Sequence, residues 1–198
     1  MGDGVAKNGA YKYEDGTKYI GDWNGRGLKH GAGSLLLPDG TRYDGGFQNG
    51  LCSGLGVIVF PDGAKYEGEF MQGWFHGHGV FWRADGMKFE GEFRGGRVWG
   101  LGLVTYADGS HGFPRNEGFF QDCRLVRRRR CPDIVQKAQK VSMMARAQHK
   151  HFVYASSVIY EIVTFFVIQL EKDGNKSDNA KPSLTTLKGI LNGTLNEK

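Results

Sequence analysis

The chain is poor in cysteine: it has only Cys52, Cys123 and Cys131 in 198 residues. An odd set cannot form a complete disulfide framework, and these spacings match no zinc motif. We therefore expect reduced thiols in a cytosolic protein, with no bound metal. The first eight residues also lack an apolar run, so the sequence does not predict a secretory signal peptide.

Long apolar runs are scarce as well, and only residues 152–170 approach the length of a membrane span. Glu161 and several hydroxyl groups interrupt this run, and a charged residue at the centre of a span is costly. Residues 173–183 are polar, which is typical of disorder. Residues 151–198 are therefore an apolar and then disordered tail whose status the sequence leaves open.

The residue pattern also lacks a catalytic constellation, since no nucleophile, base and orienting acid stand together. Glutamates occur in pairs at matching positions, beside lysines, which predicts a solvated sheet face: Glu67 with Glu69, and Glu90 with Glu92. His76 and His78 have no convergent ligands and are interpreted as turn residues. No P-loop lysine follows the nearby glycines. We predict a non-enzyme with no cofactor and no small-molecule substrate.

Positive charge is concentrated late in the chain. Residues 122–150 contain nine Lys or Arg against two Asp, a local charge of +7. Because the whole chain carries +5, the remainder is close to −2. A β domain that binds nucleic acid should carry its positive charge on the sheet. This distribution therefore argues against a nucleic-acid partner.

Glycine is abundant, with 32 residues, and it is periodic. In the segment Tyr66-Glu67-Gly68-Glu69-Phe70 the aromatic residues and the glycine alternate with glutamate, which predicts a strand with one aromatic and one acidic face. The central glycine leaves space that an aromatic ring from the next strand could fill. A turn at residues 72–73 and a second strand starting at residue 77 complete a predicted β-hairpin.

This hairpin recurs with a period of 23 residues. Its glycines recur at Gly31, Gly54, Gly77 and Gly100, and its turn aspartates follow the same spacing. Such a unit cannot bury its apolar face alone, so the copies should stack into one array. We predict four repeats over residues 19–110. A partial repeat over residues 1–18 precedes them as a cap, and a degenerate fifth repeat follows over residues 111–126.

The aromatic face is the candidate partner-binding site. If no second layer covers the sheet, the chain cannot cover all of these rings, and part of the face should form an exposed apolar groove for a peptide or helix. The predicted partner-binding residues are Tyr19, Trp23, Tyr43, Phe47, Tyr66, Phe70, Trp82, Phe89 and Phe93.

Residues 127–150 are predicted to hold a basic segment and a C-terminal helix. Its four consecutive arginines are Arg127, Arg128, Arg129 and Arg130. They are interpreted as a solvated linker or helix flank, or as a lipid-binding site for anionic membranes. A nuclear address is a third interpretation that nothing else in the sequence supports. The helix should begin at Pro132, with Ile134, Ala138, Val141 and Ala145 on the face that packs across the sheet or its end.

The pattern Y-x-G-x-W/F, then G-x-G, then D-G on a 23-residue period resembles the MORN repeat. That resemblance implies a mainly β fold: a single-layer, elongated antiparallel sheet of successive hairpins, here followed by a C-terminal α-helix. The order of the four repeats, the insertion HGFPRNEG at residues 111–118 and the basic segment before the helix resembles the retinophilin subgroup, including its vertebrate counterpart. This resemblance covers roughly residues 1–150.

The subgroup resemblance implies a non-catalytic adaptor. Its expected partner is the tail of a class III unconventional myosin, and its expected location is the cytoplasm of actin-rich projections or photoreceptor rhabdomeres. An alternative is a membrane tether similar to the junctophilins, with residues 152–170 as the anchor and the arginines on anionic lipid or phosphoinositide.

Overall fold

A computed structural model describes residues 7–148. The apolar segment 152–170 and the rest of the tail lie outside the described residues. Eleven antiparallel strands form one open sheet and follow each other in chain order. The strands are β1 (Lys7–Lys12), β2 (Lys18–Trp23), β3 (Lys29–Leu36), β4 (Arg42–Gln48), β5 (Leu51–Val59), β6 (Lys65–Met71), β7 (Trp74–Trp82), β8 (Lys88–Arg94), β9 (Arg97–Thr105), β10 (Glu117–Gln121) and β11 (Arg124–Arg128). The predicted mainly β architecture is confirmed.

Two kinds of turn alternate along the chain and occupy opposite long edges of the sheet. Four of the tight turns have two central residues with positive φ, such as Gln72 (51°) and Gly73 (85°). This is the turn that suits the twist of a hairpin. The wider turns contain Asp-Gly, as at Asp62, whose Oδ1 accepts a hydrogen bond from Ala64 N at 2.9 Å. The edge that carries the tight turns is called the tight-turn edge, and the edge that carries the wider turns is called the Asp-Gly edge.

The second strand of each hairpin begins earlier than the sequence predicted. Strand β7 starts at Trp74 instead of Gly77, and the pairing with β6 shifts by two residues between Gly68 and Glu69. The bulge is at Gly77, whose φ is 57°. Glu69 Oε2 accepts a hydrogen bond from His78 N at 2.5 Å, so a carboxylate satisfies an amide that the bulge frees from the ladder.

Among residues 7–148 the structure has one helix, α1 (residues 132–148), which lies across the strands on one face of the sheet. It follows Cys131, whose backbone N donates to Glu117 Oε1 at 2.6 Å. Further along, Gln139 Nε2 donates to Glu90 Oε1 at 2.8 Å. Seventeen helical residues extend about 25 Å, which is close to the width of five strands. Helix α1 accordingly runs from β10 towards β6.

The carboxylates under helix α1 correct a sequence prediction. Glu67 and Glu90 were expected to face water, yet only 2% and 3% of each residue is exposed. They alternate across the sheet with Val57, Val80 and Leu103, which are also buried. The strand period assigned these residues to one face correctly, but it cannot show that a distant helix covers that face.

The buried stripe of α1 is rotated relative to the predicted one. Cys131, Val135 and Ser142 are buried together with the predicted Ala138 and Ala145. Ile134 and Val141 are only partly buried, on the flank of the helix. The buried stripe is rotated because Ser142 faces the sheet, where its hydroxyl donates a hydrogen bond to Glu67. An apolar periodicity alone gives no indication of this.

Candidate binding face of the sheet

The face opposite helix α1 carries a continuous ladder of aromatic rings. Within the third repeat, Tyr66 meets Phe70 at 5.3 Å between ring centroids, and it meets Phe93 of the fourth repeat at 4.8 Å. Tyr43 similarly meets Phe70 at 4.9 Å. These contacts are edge-to-face, an arrangement that favours aromatic pairs beyond their buried area. The ladder therefore joins each repeat to the next.

The glycines of the motif make room for the tyrosines of this ladder. A Cβ atom on Gly68 would lie 2.4 Å from Tyr66 Oη, and one on Gly79 of the adjacent strand would lie 2.6 Å from the same ring. The ring that covers each glycine pair thus comes from the same strand as the first glycine, and the prediction of a ring from the next strand is wrong. Tyr66 Oη lies within hydrogen-bond distance of two backbone oxygens, at 3.0 Å from that of Glu69 and 3.1 Å from that of His76, and its one hydrogen is available to either.

Because the rings of the ladder pack edge-to-face against one another, most of the predicted partner-binding residues are buried. The expectation that they line an exposed groove is corrected for seven rings, which the chain itself covers: Tyr19, Tyr43, Phe47, Tyr66, Phe70, Phe89 and Phe93. Trp23 is partly buried and packs against the same cluster. Together they form the hydrophobic core of the sheet. Contact of these rings with a partner stays a prediction.

Trp82 does not belong to the aromatic face. It pairs with Lys65 in the sheet register, and Lys65 Nζ lies 4.1 Å from the Trp82 ring centroid. The preceding residue, Phe81, pairs with Tyr66 and faces the aromatic side. The prediction of Trp82 as part of the groove is corrected to Phe81, since successive strand residues point to opposite faces.

Two rows of partly buried apolar side chains flank the ladder. The first row lies towards the Asp-Gly edge and consists of Leu35, Ile58, Phe81 and Val104. The second lies towards the tight-turn edge and consists of Cys52, Phe75, Val98 and Leu125. We call these eight residues the flanking rows. Sequence reasoning missed most of them because it followed the first strand of each repeat. The 23-residue spacing of the first row was a signal that could have found it.

A depression interrupts the aromatic face near its C-terminal end. Its volume is about 230 Å³. It is mostly apolar, and residues from β7 to β10 with the adjoining turns form its wall: Phe81, Arg83, Met87, Lys88, Phe89, Val98, Val104, Phe120 and Cys123. A depression of this kind can hold one large apolar side chain.

The electrostatics of the aromatic face differ from those of the helix face. The alternation in β2–β9 directs every carboxylate of these strands away from the aromatic side. Lys29 Nζ lies over the rings of Tyr13 and Tyr19, at 4.9 and 5.7 Å from their centroids. Burial raises the pKa of the Cys52 thiol to about 11. The face is therefore apolar with a slight positive charge.

On the helix face, Glu67 is held ionised by its neighbours. Burial alone would raise its pKa, but hydrogen bonds from Ser142, Lys65 and Arg146 outweigh that effect and lower the pKa. Ser142 Oγ donates to Glu67 Oε2 at 2.6 Å, and Arg146 Nη2 donates to the same atom at 2.8 Å. The buried carboxylate is thus a structural group that fixes helix α1.

The histidines do not form a ligand cluster with these acids. His76 and His78 lie in β7, which corrects their interpretation as turn residues. His78 Nδ1 is 3.5 Å from Glu69 Oε2, and its Nε2 is 3.9 Å from Glu92 Oε1. Within residues 7–148, no three His, Cys, Asp or Glu side chains converge in a way that could hold a metal ion.

The arginine run is divided between two elements. Arg127 and Arg128 end strand β11, and Arg129 N donates to Glu117 O at 3.0 Å, extending the pairing. Arg130 is 3.5 Å from Glu117 Oε2 and keeps most of its side chain exposed. Arg127 and Arg128 thus belong to the last strand of the sheet, which corrects the linker interpretation for these two residues, whereas Arg129 and Arg130 lie between that strand and helix α1. In the part of the chain described here, no helix is long and apolar enough to cross a membrane.

The ladder, the glycine pairs and the hairpin topology define a repeat protein built from a single β-sheet. The MORN repeat family matches residues 19–42, 43–65, 66–88 and 89–111. The chain is also 72% identical over 148 residues to the MORN repeat-containing protein 4 homolog of Drosophila melanogaster, which covers 75% of each chain. The chain therefore belongs to the MORN-repeat family.

Proposed function

We propose that the chain is a non-catalytic adaptor that binds a partner segment along the flanking rows of its aromatic face. One observation carries this proposal. Apolar side chains remain partly exposed over five successive hairpins on the face that helix α1 leaves open. A long apolar surface of this kind is typical of a protein-binding site.

The geometry favours an elongated partner with apolar side chains. Equivalent residues of neighbouring hairpins, such as Ile58 and Phe81, are two strands apart, which corresponds to about 10 Å. The depression beside Phe89 offers a place for a bulky anchor residue. An amphipathic helix or an extended peptide meets both conditions. The buried ladder residues would then support the contact surface from beneath.

The likeness to the retinophilin subgroup supports a more specific partner. We propose the tail of a class III unconventional myosin, with the complex in actin-rich projections or photoreceptor rhabdomeres. The residues that carry this likeness are the insertion at residues 111–118 and the basic segment before the helix. The apolar character of the face is compatible with such a tail segment.

Binding of the full chain to a recombinant class III myosin tail, measured by calorimetry, tests the proposal. Ile58→Ser should weaken binding by about tenfold or more, because it places a hydroxyl in the apolar surface. Val59→Ser is a matched control, since Val59 is adjacent, exposed and on the other face. Phe70→Ala is unsuitable, because Phe70 is buried and its loss destabilises the sheet. Equal effects of the two serine variants would refute the aromatic face as the binding site.

A further inference from the structure

The sheet ends at strand β11, which has a neighbouring strand on one side only. Within residues 7–148 it pairs with β10, and no further strand lies beyond it. Arg129 N donates to Glu117 O at 3.0 Å, so the pairing continues one residue past the strand. Because hydrogen-bonding direction alternates along an antiparallel strand, the N–H and C=O of Arg128 point away from β10. In this part of the chain, the edge therefore offers a backbone donor and a backbone acceptor to another strand.

The side chains of this edge are exposed. Val126 is 61% exposed, and residues 127–130 are exposed as well. In the register with β10, Leu125 pairs with Phe120 and Arg127 pairs with Phe119, so Val126 is an extra residue in a β-bulge. The bulge interrupts the first half of the strand. Residues 127–129 then form the uninterrupted stretch on which a further strand can pair.

This stretch carries positive charge that nearby acids do not balance. Among residues 7–148, its three arginines have no carboxylate within ion-pairing distance. Three acids lie close to it in the chain. Glu117 is buried and bound by two other arginines, and Asp122 is paired with Arg97 at 3.0 Å. Only Asp133, in the first turn of helix α1, is exposed without such a partner among the described residues. The edge is therefore basic.

Charge and hydrogen bonding together select the occupant of this edge. The opposite open edge, β1, contains Lys7 and Lys12 and no acidic residue. Pairing β11 with either edge of a second copy would therefore place like charges opposite each other, which destabilises a strand pair. Phosphate groups of a lipid or nucleic acid accept hydrogen bonds only, so they match the arginines but not the C=O of Arg128. A polypeptide with acidic side chains matches both the charge and the backbone groups.

We propose that strand β11 binds an extended, acidic segment of a partner protein, which adds to the sheet as a further strand. Main-chain hydrogen bonds at Arg128 hold the segment, as in other cases of strand addition. The side chains of Arg127 and Arg128 project to opposite faces, so carboxylates at successive positions of the added strand can pair with both. The site is an edge and not a face, so it gives the chain a second binding surface that does not depend on the flanking rows.

Fluorescence anisotropy of a labelled octapeptide of alternating glutamate and valine, titrated with the full chain, provides the test. The chain should bind this peptide and should not bind its counterpart of alternating lysine and valine. N-methylation of alternate peptide bonds preserves the charge of the acidic octapeptide but removes backbone donors. It should weaken binding by about tenfold or more if the peptide pairs as a strand.

Two substitutions at one position separate charge from backbone pairing. Arg128→Ser removes one exposed charge and should weaken peptide binding by about twofold to fivefold. Arg128→Pro removes the same charge and also the outward N–H, so it should weaken binding by a further factor of about five to ten. Proline is tolerated on an edge strand where its nitrogen faces away from the sheet. Arg26→Ser is the matched control, because Arg26 is also exposed but lies in the turn between β2 and β3. It should leave peptide binding unchanged.

The inference is overturned if the acidic octapeptide does not bind, or if its N-methylated form binds equally well. Equal binding by Arg128→Ser and Arg128→Pro would also overturn it, since charge alone would then explain the affinity. Binding to phosphatidylserine vesicles but not to the octapeptide would assign the arginines to a membrane instead. Ile58→Ser should leave octapeptide binding unchanged, and Arg128→Pro should leave binding of the myosin tail unchanged. The two proposals can therefore fail separately.

Discussion

Ser142 Oγ donates a hydrogen bond of 2.6 Å to Glu67 Oε2, across 75 positions of the chain. The bond joins a helix to the centre of a sheet whose strands pair with their neighbours in chain order. Both residues are buried. This contact, with the bonds from Gln139 and Arg146, makes the carboxylate row a docking site for helix α1.

Removing the hydroxyl should therefore destabilise the protein. Ser142→Ala leaves Glu67 with fewer donors in a buried site and should cost about 1–2 kcal/mol of unfolding free energy. Urea denaturation followed by circular dichroism measures this. Gln136→Ala, on the exposed side of the same helix, is the control and should change stability little. Equal stability of Ser142→Ala and wild type would contradict docking through this contact.

Acid should weaken the protein through Glu67. Its pKa is lowered from an ordinary value of 4.5 in the folded protein, because the hydrogen bonds to its carboxylate outweigh burial. The associated stabilisation is complete above the unfolded pKa and is lost as the pH falls through the folded pKa. When the urea midpoint is measured from pH 7 to pH 3, it should decrease once the pH is below 4.5, the ordinary pKa of the carboxyl. Glu67→Gln should make the urea midpoint less dependent on pH. Lys140→Ala, exposed on the helix, should keep the wild-type slope.

Tyr66 packs closely against Gly68 and Gly79, so adding one methyl group to Gly68 should strongly destabilise the protein. Gly68→Ala would place Cβ 2.4 Å from Tyr66 Oη and 2.8 Å from Gly79 Cα, and it should cost about 2–3 kcal/mol. Gly9→Ala is the matched control in strand β1, where the added atom would lie 3.5 Å from Trp23. It should alter the thermal midpoint little. Similar midpoints for the two variants would disprove the close approach.

The three cysteines should react at different rates with a thiol reagent at pH 8. Cys123 is exposed and should be modified first. Burial raises the pKa of Cys52 to about 11 and raises the pKa of Cys131. Both should react more slowly than Cys123 by about tenfold or more. Peptide mass spectrometry over time distinguishes the sites, and modification in urea should make the three rates similar. Rapid native labelling of Cys52 would contradict its burial.

The repeat architecture was predictable because its determinants are local. The alternation from Tyr66 to Phe70, the turn at Gln72 and Gly73 and the 23-residue period each act within one hairpin. The start of β7 at Trp74 was not predicted, because bulge formation depends on the carboxylate of Glu69 reaching a freed amide on the facing strand. The β-strand propensities of the residues in the second strand do not reveal that contact.

The candidate site was only partly predictable. The sequence assigned Tyr66, Phe70 and their counterparts to one face correctly, but it could not show which rings cover which. Burial of Tyr66 depends on the missing side chains of Gly68 and Gly79, on two strands, together with the ring of Phe93 in the next repeat. Which residues stay partly exposed, such as Ile58 and Phe81, can be derived only when that packing is known.

By itself the sequence determined the MORN-repeat sheet, its four matched repeats and the separation of aromatic and acidic faces. These follow from strand alternation and turn chemistry, which act over a few residues. The tertiary structure alone decided that the aromatic rings are core, that Glu67 and Glu90 lie beneath helix α1, and that partly exposed apolar residues lie in the flanking rows. Burial is set by contacts between residues far apart in the chain, and a local pattern does not specify them.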